Sequence, residues 1–118
     1  MTALSDLVGS YIDRFGNTVI LTRDRWEHHI LPEHHEMARL LWSFGRVLLR
    51  PRRITQDTSL MSCRCFYSDG IAPGELVKII VEYPPDDPNM PLYTPAAGTI
   101  ITAFLVPTFT RRERQLWP

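Results

Sequence analysis

The most restrictive feature of this sequence is a change in the spacing of its apolar residues near position 50. Before that point, apolar residues recur three or four positions apart, at Met37, Leu40, Leu41, Phe44, Val47 and Leu48. This period is typical of one face of an α-helix, which we expect over residues 34–49, ending before Pro51. Beyond it, β-branched and alternating residues predict three strands, at residues 60–67, 76–83 and 99–106.

The rest of the chain completes a prediction of fold class. A short strand is expected at residues 19–22 and a short helix at residues 25–31, whereas the proline-rich residues 84–98 are typical of a long loop. Helices followed by a run of strands predict an α+β fold, with the N-terminal helices packed on one face of a small twisted antiparallel sheet. The 118 residues suffice for a single domain, with a short N-terminal arm (about 1–14) and an Arg-rich tail (about 107–118).

Composition argues against several classes of protein. Thirteen basic and thirteen acidic residues give a formal net charge of zero, which argues against a uniformly basic nucleic-acid coat. No apolar run approaches the roughly 20 residues that cross a bilayer, and the first residues lack the pattern of a signal peptide. Two cysteines are too few for a disulfide scaffold. We therefore expect a cytoplasmic protein with no membrane partner.

The neutral total hides an uneven distribution of arginine. Residues 39–64 contain six arginines and a single acid, Asp57. The planar guanidinium group matches phosphate oxygens, so this segment is a candidate for binding an RNA backbone. Arg52 and Arg53 follow the end of the predicted helix, where they either bind phosphate or complement the helix dipole. A solvated surface that is rich in arginine is the alternative interpretation.

All four histidines lie within eight residues, at His28, His29, His34 and His35. A metal-binding helix needs histidines with suitable spacing, such as two that are four residues apart, and this cluster lacks that spacing. We therefore expect no metal. A half-exposed structural role is one alternative for these side chains. Imidazole titrates near neutral pH, so the cluster is also a candidate for general acid–base catalysis.

Five short motifs occur in a fixed order along the chain. They are Asp13-x-Phe15-Gly16-Asn17-x-Val19-x-Leu21-Thr22, Arg25-Trp26, His29-Ile30-x-x-x-His34-x-Glu36-Met37, Pro51-x-x-Ile54 and Ile101-Thr102-Ala103-Phe104. This ordered set, which covers about residues 13–106, resembles the phage-associated branch of the barnase–EndoU–colicin–RelE-like nucleases. The resemblance implies a compact α+β fold and a metal-independent endoribonuclease, toxin-like or phage-associated, that needs no cofactor.

In this family a helix histidine, basic residues on the sheet and a strand hydroxyl act on RNA. Carried onto this sequence, the resemblance assigns catalysis to His29, His34, Arg64 and Thr102. We expect the substrate to be bound by basic side chains, at Arg25, Arg52, Arg53 and Lys78. Because His28 adjoins His29, either of them fits the first histidine of the motif. The expected reaction is attack of the RNA 2′-hydroxyl on the adjacent phosphate. His29 would act as general base or acid, Arg64 would stabilise the charge on the phosphoryl oxygens, and Thr102 would be a positioning hydroxyl.

Two alternatives to this nuclease stay open. The same scaffold also suits a catalytically inactive module that binds RNA or a protein partner such as a neutralising antitoxin. A metal-dependent hydrolase that uses the histidine cluster is the second alternative. Strand alternation adds one further expectation: Arg64 faces away from Cys63 and Cys65, so it lies on the open face of the sheet if the cysteines are in the core.

Overall fold

The computed structural model describes residues 6–57, 62–84, 97–110 and 112–118. These residues form a seven-stranded sheet with the strand order β1-β2-β6-β5-β4-β3-β7. The strands are β1 (Leu7–Ile12), β2 (Thr18–Thr22), β3 (Arg53–Gln56), β4 (Cys63–Asp69), β5 (Leu76–Glu82), β6 (Ala97–Val106) and β7 (Arg114–Trp117). Neighbouring strands pair antiparallel, except that β2 and β6 are parallel.

The predicted fold class is wrong in the size and the pairing of the sheet. We expected helices on one face of a small antiparallel sheet, whereas the sheet is the larger part of the structure and contains a parallel pair. Strand β6 enters the sheet through Gly98, where a Cβ atom would lie 2.7 Å from Val81 Cγ1 and 2.8 Å from Tyr83 Cε1. Only glycine permits this close approach between β6 and β5.

The sequence predicts four of the seven strands. The strands expected at residues 19–22, 76–83 and 99–106 are confirmed as β2, β5 and β6, and the strand expected from residue 60 is β4. Strand β1 lies in the predicted N-terminal arm, β3 follows the predicted helix, and β7 lies in the predicted Arg-rich tail. Most of the predicted loop at 84–98 lies outside the described residues, as does Met61.

Two helical stretches separate β2 from β3. The first consists of α1 (Arg23–Arg25), a π-helical turn (Trp26–Ile30) and α2 (Leu31–Glu33), and the second of two 3-10 turns (His35–Arg39 and Leu41–Ser43) followed by α3 (Phe44–Leu49). The helix expected at 25–31 is confirmed as part of the first stretch. In the described residues, no helix is long and apolar enough to cross a membrane.

The single α-helix expected over residues 34–49 is wrong. The dihedral angles of His34 (φ −136°, ψ 61°) interrupt the helical path before this segment. Within it, the Ser43 hydroxyl donates to the Leu40 carbonyl oxygen at 2.7 Å, a local bond that competes with the α-helical pattern. The spacing nevertheless identifies the buried positions, because Met37 and Phe44 are both fully buried.

The sheet buries side chains on both faces. The helices cover one of them, the helix-covered face, whose core includes Phe66 and Ile79. The opposite face, called the second face, carries a smaller core of Cys65, Tyr67 and Leu76. The C-terminal segment, residues 107–110 and 112–118, contributes to the packing on the second face through an aromatic ring described below.

Arg64 does not lie on an open face of the sheet. The cysteines on either side of it are buried, as the alternation requires. Arg64 pairs in register with Val81, which belongs to the core of the helix-covered face. The expected open face is therefore wrong, because Phe66, two residues further along β4, is fully buried on that same side, although Arg64 itself is only half-buried.

Candidate functional site

The second face carries three of the predicted site residues. Strand register places Lys78 beside Phe104, and Thr102 lies two residues before Phe104 on the same face. Arg53, on β3, also belongs to this face, and its guanidinium Cζ lies 4.0 Å from the centre of the Phe109 ring. Lys78 is buried, whereas Thr102 and Arg53 are half-buried.

A fourth predicted residue, His34, reaches this face from the junction between the two helical stretches. The His34 ring stacks on the Phe104 ring, with centroids 5.1 Å apart and an angle of 27° between the planes. His34 Nδ1 lies 3.8 Å from Glu36 Oε1, and the His34 side chain is 30% exposed. Lys78 Nζ lies 5.8 Å from the centre of the same Phe104 ring. We call His34, Lys78, Thr102 and Phe104 the Phe104 cluster.

The C-terminal segment holds the ammonium group of Lys78. Its Nζ lies 2.5 Å from Glu113 Oε2 and donates to Thr110 Oγ1 at 3.0 Å. The other oxygen of that carboxylate, Oε1, accepts hydrogen bonds from Thr55 Oγ1 at 2.5 Å and from the Tyr67 hydroxyl. The side chains of Lys78 and Glu113 are 7% and 5% exposed. We call Glu113 with its donors Thr55, Tyr67 and Lys78 the Glu113 site.

Burial and hydrogen bonding act in opposite directions on this ion pair. Burial raises the pKa of Glu113, but the donors Lys78, Thr55 and Tyr67 outweigh it and hold the pKa below its ordinary value. Burial likewise lowers the pKa of Lys78, but Glu113 and Tyr67 outweigh this effect and raise it. Both side chains are therefore charged at neutral pH.

The structure places the other predicted residues on the helices or the rim of the sheet. His29 is exposed, and its Nε2 lies 3.6 Å from Asp24 Oδ2. Arg25 is half-buried on α1. Arg52 is exposed, and its Nη1 lies 2.8 Å from Asp69 Oδ1. None of these contacts involves the Phe104 cluster.

His29, Arg64 and Thr102, which the sequence places in one catalytic site, are not brought together. Arg64 pairs in register with Val81, and Thr102 pairs with Ile80. Adjacent residues of a strand point to opposite faces, so Arg64 and Thr102 lie on opposite faces of the sheet. A single phosphate therefore has no position from which it contacts both side chains.

Arg64 lies at a shallow pocket of about 470 Å³, which is lined by Phe15, Asn17, Arg64 and Leu116. Its guanidinium Cζ is 5.3 Å from the centre of the Phe15 ring and 4.7 Å from that of the Tyr83 ring. No carboxylate in the described ranges forms an ion pair with Arg64. We call this feature the Arg64 pocket.

Asp13 holds the turn that presents Phe15 to this pocket. Its Oδ1 accepts hydrogen bonds from the backbone N–H groups of Phe15 at 2.8 Å and Asn17 at 2.9 Å. Its Oδ2 accepts from Asn17 Nδ2 at 3.2 Å and from the Tyr83 hydroxyl at 2.5 Å. Gly16 has φ +86°, which a glycine adopts without strain. Burial, followed by the bond to Asp13, raises the pKa of Tyr83, so this phenol stays protonated.

The residues that surround Lys78 in the Glu113 site could not be predicted from the sequence. Glu113 stands among arginines and gives no sign that it returns to the sheet interior. Tyr67 and Thr55 are ordinary strand formers. The only available signal is Lys78 itself, because a lone lysine within an apolar strand requires a partner.

In the part of the chain that the structure describes, no group of three or more His, Cys, Asp or Glu side chains is positioned to hold a metal ion. Comparison with protein-family models, with curated proteins and with solved structures found no match.

Proposed function

We propose that this protein is a metal-independent endoribonuclease that uses the Phe104 cluster. The observation that supports the proposal is that His34 and Lys78 both lie close to the Phe104 ring, with Thr102 two residues from Phe104 on the same face of the sheet. These are the kinds of side chain that the family resemblance implies, and each is among the residues assigned from the sequence. In this proposal His34 replaces His29 as the base, and Lys78 replaces Arg64 as the cation.

The proposed reaction begins at the RNA 2′-hydroxyl. His34 removes its proton, and Glu36, 3.8 Å away, stabilises the imidazolium that forms. The 2′-oxygen forms a bond to the adjacent phosphorus while the bond from phosphorus to the 5′-oxygen breaks. The leaving oxygen takes a proton from water, which gives a 2′,3′-cyclic phosphate and a 5′-hydroxyl. Lys78 offsets the charge on the phosphoryl oxygens, and Thr102 positions the phosphate.

The first experiment measures cleavage of an end-labelled RNA in excess EDTA. It uses the wild-type protein and Glu113→Ala, because Glu113 neutralises Lys78 in the structure. A 2′-deoxy strand of the same sequence is the control, since it lacks the nucleophile. We expect EDTA-resistant cleavage that leaves cyclic phosphate ends, and no cleavage of the control strand. Intact RNA with both proteins, or equal cleavage of both strands, would overturn the proposal.

The second experiment tests which histidine acts as the base. His34→Gln is expected to lower the cleavage rate at least about 100-fold, as loss of a general base does. His35→Gln is the matched control, because His35 is the exposed neighbour of His34. His29→Gln is expected to keep the wild-type rate. A larger loss with His29→Gln than with His34→Gln, in proteins with unchanged circular dichroism, contradicts the role given to His34.

The Arg64 pocket favours a second candidate function, which is RNA binding without cleavage. An exposed aromatic ring stacks on an unpaired base, and a guanidinium group binds the neighbouring phosphate. Phe15 is 47% exposed beside Arg64, as this mode of binding requires. The residues that line the pocket, all of them in the described part of the chain, include no histidine. The pocket therefore supplies binding groups but no general base.

Binding of a short single-stranded RNA, followed by fluorescence anisotropy, tests this second function. Arg64→Met is expected to weaken binding at least about tenfold, the loss of one charge-assisted contact. Arg64→Lys keeps the charge but not the planar fork, so we expect an intermediate affinity. Arg23→Met is the control, because Arg23 is an exposed arginine of α1 that pairs with Glu27 and does not line the pocket. Equal affinities for Arg64→Met and Arg23→Met contradict a role for the pocket.

A further inference from the structure

The Glu113 site contains more hydrogen-bond donors than a simple ion pair. The Lys78 ammonium contacts one carboxylate oxygen, and the hydroxyls of Thr55 and Tyr67 donate to the other. These donors come from β5, β3 and β4, which are neighbours in the sheet. The carboxylate comes from the C-terminal segment, one residue before β7. The sheet thus provides the donors, and a separate segment provides the anion.

This set of donors is suited to anions other than a carboxylate. An ammonium group and two hydroxyl groups are donors that proteins use to bind phosphate oxygens. Lys78 is 7% exposed, and a buried cation without a counter-ion is strongly unfavourable. The site therefore requires an anion, and Glu113 is the anion that the chain supplies itself.

We propose that Thr55, Tyr67 and Lys78 form a phosphate-binding site, and that Glu113 is an internal ligand which occupies it when no phosphate is bound. Lys78 belongs both to this site and to the Phe104 cluster. The consequence for catalysis rests on the proposed function: while Glu113 is bound, Lys78 is neutralised and does not stabilise a phosphoryl group. A bound RNA phosphate and Glu113 then compete for the same donors.

Thermal unfolding of Glu113→Ala in inorganic phosphate tests the site without any RNA cleavage. Melting is compared in sodium chloride and sodium phosphate at equal ionic strength and pH. Glu82→Ala is the matched control, because Glu82 is an exposed glutamate at the end of β5. We expect phosphate at ten times its dissociation constant to raise the Tm of Glu113→Ala by about 5 °C. The Tm of the wild type and of Glu82→Ala should rise by less than about 1 °C.

A second variant shows whether Lys78 is the cation that binds phosphate. The double variant Lys78→Met/Glu113→Ala should lose the effect of phosphate on Tm. If Glu113→Ala is unfolded in chloride, phosphate is expected to restore its circular dichroism. A chain that is unfolded in both buffers, or a Tm that responds to phosphate no more than that of Glu82→Ala, overturns the proposal.

Two further ligands, formate and a 2′-O-methyl RNA, show which kind of anion the site binds. Stabilisation of Glu113→Ala by formate but not by phosphate overturns the proposal, because the site is then specific for a carboxylate. A 2′-O-methyl RNA, which cannot be cleaved by 2′-hydroxyl attack, tests whether a phosphodiester enters. Stabilisation by this RNA supports an RNA phosphate as the competitor of Glu113, and stabilisation by inorganic phosphate alone supports a free phosphate. Neither result depends on whether the wild type cleaves RNA.

Discussion

Replacing Glu113 by glutamine leaves the Lys78 ammonium buried without a counter-ion. The two side chains are 5% and 7% exposed and their charged atoms are 2.5 Å apart, so solvent does not compensate for the loss. Removing one partner of a buried pair typically costs about 3–5 kcal/mol. This is a large part of the roughly 5–15 kcal/mol that stabilises a domain of ordinary size. We therefore expect a marked fall in the urea concentration at the unfolding midpoint.

A double-mutant cycle isolates the interaction between the two charges. Lys78→Met alone leaves the Glu113 carboxylate buried, at a similar cost of about 3–5 kcal/mol. The double variant Lys78→Met/Glu113→Gln buries neither charge. Its free energy of unfolding should therefore lie well above the value expected if the costs of the two single substitutions were added. Urea denaturation of the four proteins measures the coupling. Additive costs, within about 0.5 kcal/mol, would refute the conclusion that this pair is buried and coupled.

The pH dependence of stability provides an independent check on the same pair. The pKa of Glu113 is lowered from 4.5 on folding, so its stabilising effect is complete above that value and is lost as the pH falls through the folded pKa. The pKa of Lys78 is raised from 10.5, so its effect is lost as the pH rises through the folded pKa. The wild type should lose more stability than Glu113→Gln on acidification below about pH 4.5. Parallel curves for the two proteins would contradict this assignment.

Three further predictions concern other parts of the molecule. Asp13→Ala should lower the free energy of unfolding by about 3 kcal/mol in urea denaturation, because it leaves the buried Tyr83 hydroxyl and two backbone N–H groups unpaired. Gly98→Ala should cost about 1–3 kcal/mol in the same assay, since its Cβ would lie 2.7 Å from Val81 Cγ1. Burial raises the pKa of Cys65 to about 12. Iodoacetamide should therefore label this thiol only after the protein is unfolded in urea, as measured by mass spectrometry.

The periodicity of apolar residues predicts burial better than it predicts backbone conformation. Met37, Leu40 and Phe44 are buried, as their helical spacing requires, although two 3-10 turns replace much of the expected α-helix. A 3-10 turn advances by three residues, so it keeps nearly the same side chains on the inner face. The α-helix and the 3-10 turn differ in their backbone hydrogen bonds, and the spacing of the apolar residues does not distinguish between them.

The missed strands have a different physical cause. Strands β1 and β7 are the two edges of the sheet, and β3 has only four residues. Short strands at or near an edge depend on hydrogen bonds to a neighbour that is distant in sequence, and their own residues need not alternate in polarity. The Glu113 site is hidden for the same reason, because Glu113 lies 35 residues from Lys78 and 58 residues from Thr55.

His29 and His34 lie in different surroundings because the helical path is interrupted between them. His29 and His34 are five residues apart, which in a regular α-helix separates their directions by about 140°. The first helical stretch ends at Glu33, and the non-helical backbone of His34 (φ −136°, ψ 61°) precedes a new turn, with its ring stacked on Phe104. His29 remains on the π-helical turn, beside Asp24 and exposed to solvent. His34 therefore stacks on a side chain of the sheet, whereas His29 lies beside Asp24, so the comparison of His34→Gln with His29→Gln tests which of the two histidines is the base.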